Sequence, residues 1–372
     1  MKLLAAFFLA LILGIGTPSR AGGSKSSDTT QFVVAAYWNG RDTSIDSYQI
    51  GKLTHINYSF VHLRDGCVVL RGTRDSVTLT RLVALKKQFP KLKIVISLGG
   101  WGGCPTCSED FFTPEGRSRF VLSVKKILAQ YKLDGIDLDW EYPTIEGYPG
   151  HRYAPEDRHN FTLLLRELRQ VLDDSAEITF AAGGFAKYLT DAVEWKDLAP
   201  LVDRIYLMSY DLVNGYSTVT GNHTPLFSTA SQSESVDNAV KYLDSVGVPS
   251  RKIVIGAAFY ARVWGGVADS NHGLHQNGVF LNYVGYRNME SYWSEHPGFQ
   301  AYWDSTAGAP YRYNPDEKMF ATFDNRESVS LKTRYALQHH LGGIMFWELS
   351  GDLRRGGLLD AIDSTRTSLE NR

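Results

Sequence analysis

The sequence predicts a (β/α)8 barrel, or TIM barrel, with a small α+β insertion between its seventh and eighth strands. Three observations predict it: eight short apolar segments, a helical pattern of apolar residues between them, and one interval far longer than the others. Nearly continuous apolar runs are typical of parallel strands that helices cover. The rival architecture is an open doubly wound sheet. Its nucleotide-binding form loses support because no Gly-rich phosphate loop follows the first strand.

The predicted strands are short segments rich in Val, Ile, Leu and aromatic residues. They are Val33–Trp38, His55–Val61, Lys93–Leu98, Gly135–Glu141, Ile178–Ala182, Arg204–Tyr210, Lys252–Ala258 and Gly343–Glu348. Apolar residues at helical spacing predict helices in the intervals. These helices cover Thr80–Gln88, Arg117–Gln130, Pro155–Leu172, Asp191–Leu201, Val236–Val246, Ser328–Leu341 and Gly357–Leu369.

The interval between the seventh and eighth strands is too long for a loop without secondary structure of its own. Residues 265–325 are rich in Tyr, Trp, Asn and Gly, and contain strand-like patches such as GVFLNYVGY and KMFATFD. We therefore assign 265–325 to an α+β subdomain on the barrel rim. The barrel itself then comprises residues 31–264 and 326–372.

Residues 1–21 have the pattern of a secretory signal peptide. Lys2 supplies a positive start, Leu3 to Gly16 form an apolar run, and Ser19-Arg20-Ala21 offers small residues for a signal peptidase. The alternative is a membrane anchor, but the run is shorter than the roughly 20 residues that a span needs. We expect cleavage near Ala21, a flexible leader over 22–30, secretion or a periplasmic location, and no membrane span after cleavage.

The charge balance argues against two classes of partner. The formal net charge is −1 and no long basic run occurs, so nucleic acid and anionic membrane surfaces are not expected. Hydrophobic residues make up 43% of the chain, enough for a sizeable core.

The adjacent histidines His339 and His340 lie in a helical pattern, and no third ligand for a metal ion accompanies them. We therefore expect no bound metal. We also expect no cofactor, and we expect a monomer.

The chain contains three cysteines, and two of them form a CxxC motif at Cys104 and Cys107. A zinc site would need about four ligands, and no second CxxC or nearby His pair supplies them. A redox motif normally opens a helix after a strand in a small fold, whereas this one sits in a Gly-rich loop. The simplest prediction is a local disulfide in an oxidising compartment, with Cys67 free.

The segment Leu133 to Pro143, LDGIDLDWEYP, places acids among residues that belong in a core. Side chains alternate across a strand, so Asp137, Asp139 and Glu141 share one face while Ile, Leu and Trp line the other. In a barrel the acids would point inward, with Glu141 at the carboxyl end, where active sites lie. Asp134 has the opposite parity and is expected in the entering turn, as a structural residue.

Three carboxyl groups in a dry barrel interior cannot all be charged cheaply. Burial and like charge both raise the pKa of at least one of them, and the group should titrate as a coupled set. Such a carboxyl group stays protonated near neutral pH and can act as a general acid. A calcium site is the alternative, but calcium loops space their acids with polar residues rather than Ile, Leu and Trp.

The segment DGIDLDWE matches the DxxDxDxE signature of glycoside hydrolase family 18, the chitinase family, and the chain resembles that family along nearly all of its predicted mature length. Further motifs occur in the expected order: SLGGW at Ser97 to Trp101, MSYD at Met208 to Asp211, and GIMFWELSGD at Gly343 to Asp352. The long interval resembles the insertion domain of one subgroup of bacterial chitinases.

The resemblance implies roles for individual residues. Glu141 resembles the general acid that protonates the glycosidic oxygen, and Asp139 resembles the aspartate that turns between Asp137 and Glu141. Asp137 would share the proton, with the hydroxyl groups of Ser97 and Tyr37 nearby. The expected substrate contacts also include Gly100, Trp101, Met208, Tyr210, Asp211, Tyr260, Arg262 and Trp347.

The resemblance also implies a reaction. The expected enzyme is a chitinase that hydrolyses β-1,4 bonds between N-acetylglucosamine units of chitin or chitooligosaccharides, with retention and with assistance from the substrate's 2-acetamido group. One alternative is an endo-β-N-acetylglucosaminidase that acts on N-glycans with the same acids. A second is a chitin-binding lectin without catalysis, which is disfavoured because the terminal acid Glu141 is present.

One segment departs from the family pattern. The seventh strand continues as GAAFYARVW, where GxPxYGRxW is common, and the departures are assigned to Ala257 and Ala261. The added methyl group of Ala261 is expected to narrow a sugar subsite, which affects the shape of the groove more than its chemistry.

Overall fold

A computed structural model describes residues 31–40 and 44–370 of the chain. The predicted signal peptide and leader, residues 1–30, lie outside the described residues. No helix in the described part is long and apolar enough to cross a membrane.

The strands of the described chain form two sheets. In chain order they are β1 Val33–Trp38, β2 His55–Arg64, β3 Cys67–Val69, β4 Lys93–Gly99, β5 Gly135–Asp139, β6 Glu177–Gly183, β7 Arg204–Met208, β8 Ile253–Ala258, β9 Tyr260–Gly265, β10 Val279–Gly285, β11 Gln300–Asp304, β12 Ala309–Asn314, β13 Met319–Phe323 and β14 Gly343–Trp347. Eight of them pair in parallel in the order β1-β14-β8-β7-β6-β5-β4-β2, and β1 also pairs with β2. The predicted closed barrel is therefore confirmed.

Helices cover the outside of this barrel, and one further helix packs against the second sheet. The α-helices are α1 Thr73–Ala84, α2 Cys107–Phe112, α3 Pro114–Tyr131, α4 Asp157–Val171, α5 Trp195–Leu198, α6 Val236–Ser245, α7 Met289–Glu295, α8 Arg326–Gln338 and α9 Leu358–Glu370. The main core lies between helices and strands, because outward-facing strand residues such as Ile136 and Leu138 pack there with helical residues such as Phe120 and Leu164.

Several element boundaries differ from the sequence-based expectations. The fourth barrel strand, β5, ends at Asp139 rather than Glu141, which leaves the last acid beyond the strand. Helix α1 begins at Thr73, before the predicted start, because its first turn is polar and carries no apolar periodicity. The β2–β3 hairpin and helix α2 were not predicted, since each is short and lacks a long apolar pattern.

The second sheet has the antiparallel order β10-β9-β13-β12-β11 and carries helix α7 on one side. It begins at Tyr260, whereas the predicted boundary of the insertion lies at residue 265. The difference arises because β9 follows β8 almost without a break and has an equally apolar sequence. Tyr260 and Arg262 therefore belong to the first strand of this second sheet, at its junction with the barrel.

A buried ion pair joins the two sheets at this junction. Lys332 on α8 and Asp324, just after β13, have no exposed surface and lie 2.7 Å apart. Asp324 also accepts hydrogen bonds from the backbone N–H of Ala258 at 2.9 Å and from the hydroxyl group of Ser328 at 2.6 Å. Lys332 donates to the hydroxyl group of Thr224 as well, at 2.5 Å. Every charge in this cluster is compensated by a close partner.

Removing the lysine should therefore destabilise the protein strongly. We expect Lys332→Met to lower the free energy of unfolding by about 3–5 kcal/mol, because it leaves Asp324 buried without its counter-ion. The matched control is Lys241→Met, which removes an exposed lysine paired with Asp237 in α6 and should cost about 0–1 kcal/mol. Urea denaturation of both variants measures the difference. Equal and small losses would contradict the structural role of the buried pair.

Candidate active site

The candidate site is built around strand β5, whose side chains alternate between two environments. Ile136 and Leu138 face the core under the helices, while Asp137 and Asp139 have the opposite parity. Glu141 follows the end of the strand, at the carboxyl end of the barrel, where TIM-barrel active sites lie. The three predicted acids are thus arranged in one row that leads from the barrel interior to its mouth.

Asp137 is fully buried and accepts hydrogen bonds from three strands. Tyr37 on β1 and Ser97 on β4 donate to its Oδ2 at 2.9 and 2.7 Å, and Thr179 on β6 donates to Oδ1 at 2.7 Å. Burial raises the pKa of Asp137, and the three hydroxyl groups oppose the rise because they stabilise the carboxylate. The barrel interior can therefore hold a negative charge at this position.

Asp139 has a different environment although it is also buried. Its Oδ1 has no hydrogen-bond partner among the described residues. Burial raises the pKa of Asp139 well above its usual value, and the neighbouring charges of Glu141 and Asp137 raise it further. A carboxyl group that has one oxygen without a partner among the described residues and lies between two other acids favours a proton shared within the row.

Glu141 has the properties of a proton donor near neutral pH. Burial raises the pKa of Glu141 to about 7, against a hydrogen bond from Tyr142 that lowers it, while the negative charge of Asp211 adds to the rise. A carboxyl group with such a pKa is a substantial fraction protonated at pH 7 and can still release its proton. The geometry and the electrostatics therefore agree on which acid lies ready for proton transfer.

Asp211 follows strand β7 with a left-handed backbone, φ 56°, and is held by two neighbours. Arg262 donates to both of its oxygens, from Nε to Oδ1 at 2.5 Å and from Nη2 to Oδ2 at 2.6 Å. Nδ1 of the buried His223 lies 3.4 Å from Oδ1. Burial alone would raise the pKa of Asp211, but these two partners hold it well below its usual range. Asp211 is therefore a fixed negative charge beside Glu141.

Aromatic rings form an apolar floor next to the acid row. Trp347, the last residue of β14, stacks on Phe60 with 5.6 Å between ring centroids and lies 5.9 Å from the ring of Tyr37. The hydroxyl group of Tyr210 lies against the sulfur of Met345, at 3.9 Å. Trp347 and Tyr210 are both partly exposed, so their surfaces are open to a ligand that combines an apolar face with polar groups.

Two other predicted contacts support this floor rather than face solvent. Met208 is buried inside the barrel in the cluster that contains Tyr37 and Met345. Tyr260 is buried between Tyr210 and Tyr283, at ring distances of 6.2 and 4.6 Å. Both residues were expected from the sequence to contact the substrate directly, but their side chains have little exposed surface for such a contact.

Trp101 belongs to an exposed aromatic patch beside the row. Its side chain is 46% exposed and contacts the rings of Tyr142, Tyr148 and Tyr216 at 6.2, 5.7 and 6.1 Å. These residues follow strands β4, β5 and β7, so three loops at the carboxyl end of the barrel meet here. Gly100 lies below Trp101, where a side chain would collide with the ring of Phe60.

The remaining predicted residues lie outside the site or fill the core. Asp134 is at the opposite end of β5, where it accepts hydrogen bonds from Lys86 and from the Ile94 N–H, which agrees with a structural role. Ala261 is fully buried in the core of the second sheet, so the expectation that it narrows a sugar subsite is wrong.

The proline position of the family pattern also needs correction. Counted from Tyr260 and Arg262, it falls on Ala258 rather than Ala257. Ala258 uses its N–H to bind Asp324, a contact that proline cannot make.

Several residues of the site were missed in the sequence. Thr179, Phe60 and His223 contact the acid row, its floor or Asp211, yet none belongs to a recognised motif. Tyr142, which hydrogen-bonds Glu141, lies in the LDGIDLDWEYP segment, but no role was expected for it. Thr179 could have been found, because it is a polar residue with inward parity on a predicted strand. His223 could not, since it approaches Asp211 from a long irregular segment. Among the described residues, no three His, Cys, Asp or Glu side chains are grouped as a metal site would require.

Known proteins share this architecture. Residues 33–352 match the model of glycosyl hydrolases family 18. Chitinase A1 of Niallia circulans is 31% identical over an alignment of 461 positions, which covers 99% of this chain and 65% of that protein. Chitinase B of Serratia marcescens is 31% identical over 382 residues, which cover 84% of this chain and 76% of that protein.

A solved structure is similar as well. The family 18 N-acetylglucosaminidase of Paenibacillus barengoltzii is 36% identical with a TM-score of 0.82, over 90% of this chain and all of that chain. The range that matches the family model includes every strand of the barrel and the whole acid row. The chain therefore belongs to glycosyl hydrolases family 18 and is a glycoside hydrolase.

Proposed function

We propose that this enzyme hydrolyses β-1,4 bonds between N-acetylglucosamine units of chitin or chitooligosaccharides, with retention of configuration. The row formed by Asp137 and Asp139 on one face of β5 and by Glu141 just beyond its end is the observation that carries the proposal. The chain spans 65% of the length of Chitinase A1 and 76% of that of Chitinase B, and both names support the substrate class.

Glu141 is the proposed general acid. Its pKa of about 7 lets it protonate the leaving glycosidic oxygen near neutral pH and later accept a proton from the attacking water. The sugar to be cleaved would lie on Trp347, with Tyr210 at its polar edge and the leaving sugars toward Trp101. This placement follows from the exposed surfaces of the three residues around the end of β5.

The proposed nucleophile is the substrate's own 2-acetamido oxygen. An ordinary retaining glycosidase uses a second carboxylate about 5–5.5 Å from the acid, on the other side of the sugar. Here Asp137 and Asp139 lie in line behind Glu141, and Asp211 is held by Arg262. Attack by the acetamido oxygen on the anomeric carbon needs no protein nucleophile and gives an oxazolinium ion, which water opens.

Asp139 is the proposed partner of the acetamido N–H. Its Oδ1 has no partner within residues 31–40 and 44–370, so Asp139 gains a hydrogen bond when the substrate supplies a donor. A negative charge on Asp139 would then stabilise the positive oxazolinium ion, and the proton it gives up can pass to the row. Asp137, with its three hydroxyl donors, is the proposed site at which charge in the row is balanced.

The proposed place of action is outside the cytoplasm. The residue pattern at 1–21 supports export, and the disulfide between Cys104 and Cys107 supports an oxidising compartment, while Cys67 is free. We propose that the mature enzyme acts there as a monomer.

A second candidate is release of single N-acetylglucosamine units from chain ends. It is favoured by the N-acetylglucosaminidase from Paenibacillus barengoltzii, of which the chain covers the full length. The chemistry would be the same, and only the number of sugar positions on either side of the cleaved bond would differ. Reducing-end-labelled chitotetraose separates the two: a chain-end enzyme releases N-acetylglucosamine first, and a chitinase releases disaccharides or internal fragments.

Replacement of Glu141 should abolish turnover but preserve binding. We expect Glu141→Gln to lower kcat on chitotetraose by at least about 10²-fold, because the acid is lost while shape and hydrogen bonding are kept. The matched control is Asp134→Asn, in the same motif but at the opposite end of β5, which should keep near wild-type turnover. Near wild-type activity of Glu141→Gln would refute the assignment of the acid.

The pH dependence should report the ionisation of Glu141. The acid must be protonated to act, so kcat/KM should fall as the pH rises through about 7. The Asp211 charge raises the pKa of Glu141, so Asp211→Asn should move the fall to lower pH, whatever it does to binding. Asp46→Asn, which breaks an exposed pair with Arg81, serves as control and should leave the profile in place. A profile that Asp211→Asn shifts to higher pH would contradict this electrostatic coupling.

Substrate class is tested by a direct comparison. We expect turnover of chitotetraose and none of a high-mannose glycoprotein under the same conditions, measured by product chromatography. Preferred release of the N-glycan would instead support an endo-β-N-acetylglucosaminidase with the same acid row.

A further inference from the structure

A Gly-rich loop of residues 99–107 runs from the end of β4 to the start of α2. It contains Gly99, Gly100, Gly102 and Gly103, and the first three have φ values of 108°, 77° and 78°. These backbone conformations are open to glycine and costly for other residues. Glycine also has the largest conformational entropy to lose on folding, so a loop of this composition needs contacts that hold it in place.

The Gly-rich loop lies directly on the backbone of a catalytic candidate. The Gly100 N–H donates to the carbonyl oxygen of Asp139 at 2.8 Å. A Cβ atom built on Gly99 would lie only 2.1 Å from that same oxygen, so the loop backbone approaches the strand too closely for any residue with a side chain. The loop then folds back on itself, because the Gly103 N–H donates to the Gly100 carbonyl at 2.7 Å.

The same loop carries Trp101 at its exposed turn. Trp101 therefore depends on the loop for its position relative to Tyr142, the neighbour of Glu141. One short segment thus sets the backbone of Asp139 on one side and the aromatic patch on the other.

The disulfide closes this segment at its far end. Cys104 and Cys107 are both buried, and Cβ of Cys104 lies 3.7 Å from the Cβ position built on Gly99, next to the contact with Asp139. Cys107 is the first residue of α2 and packs in the main core. The cross-link therefore connects the glycines of the loop to helix α2, which packs in the main core.

We propose that the Cys104–Cys107 disulfide is a positioning element of the active site, which holds Asp139 and Trp101 in register with Glu141. The function assigned to these two residues rests on the proposed function above. Opening the cross-link should free the glycines to sample other conformations while the barrel stays folded. Hydrolysis would then lose efficiency through both substrate binding at Trp101 and chemistry at Asp139.

The first test needs no activity. Hydrogen exchange is measured by mass spectrometry on wild type and on Cys104→Ala/Cys107→Ala, with Cys67→Ala as the matched cysteine control. We expect peptides covering residues 99–107 to exchange at least about tenfold faster in the double variant, while β6 and β7 keep their protection. Unchanged protection at 99–107 would overturn the proposal, whatever substrate the enzyme prefers. Loss of protection throughout the barrel would overturn it as well, because the disulfide would then be a general stabiliser.

The second test separates binding from chemistry with chitotetraose. We expect the double variant to lose about tenfold in kcat/KM, with KM raised and kcat lowered, since small displacements of catalytic groups are costly. Wild type treated with dithiothreitol should match it, and Cys67→Ala should not change.

Trp101→Ala provides the decisive comparison. Trp101→Ala should raise KM and leave kcat unchanged. When Cys104→Ala and Cys107→Ala are added to Trp101→Ala, only kcat should fall further, because the binding contribution of Trp101 is already lost. Kinetics of the double variant equal to wild type would overturn the proposal. Absence of any turnover by wild type would overturn the proposed function instead, and the exchange result would still decide the role of the disulfide.

Discussion

Burial of three carboxyl groups in one row, two on a face of β5 and one just beyond its end, is the constraint on which the site depends. Charges are expensive to bury, and the cost rises when neighbours carry the same charge. The barrel offers different numbers of hydrogen-bond donors to the three carboxyl groups. Asp137 receives three hydroxyl donors, Asp139 has one oxygen without a partner in the part of the chain that the structure describes, and Glu141 lies beyond the strand with a pKa of about 7. Three acids of similar chemistry thereby acquire three different environments, which the proposed mechanism uses for three different roles.

The surroundings of the row follow from the same constraint. Asp211 is kept charged by Arg262, so it acts on Glu141 as a constant negative field rather than as a competing proton acceptor. Arg262 comes from the second sheet, which the buried Lys332–Asp324 pair fastens to the barrel. The insertion therefore contributes to the electrostatics of the acid, although it lies outside the barrel itself.

The sequence predicts the barrel well and the boundaries of its parts less well. Continuous apolar strands and the parity of Asp137, Asp139 and Glu141 are local properties, so they can be read from spacing alone. The start of the second sheet at Tyr260 could not be predicted from spacing, because β8 and β9 are equally apolar and differ only in the strands with which they pair. Thr179, Phe60 and His223 reach the site from distant segments, and such contacts depend on the closed fold. The prediction that Ala261 faces the groove was wrong for the same reason, since only the closed fold shows that it lies in the core of the second sheet.

The most direct measurement concerns the nucleophile. Chitooligosaccharide substrates are prepared in which the acetamido methyl group of the cleaved sugar carries zero to three fluorine atoms, and kcat/KM is measured for each. Fluorine withdraws electrons from the acetamido oxygen, so a row that leaves nucleophilic attack to the substrate predicts a steep fall in rate with each added fluorine. Rates that are insensitive to fluorination would show that a protein carboxylate or water attacks the anomeric carbon, and would contradict the division of roles among Asp137, Asp139 and Glu141.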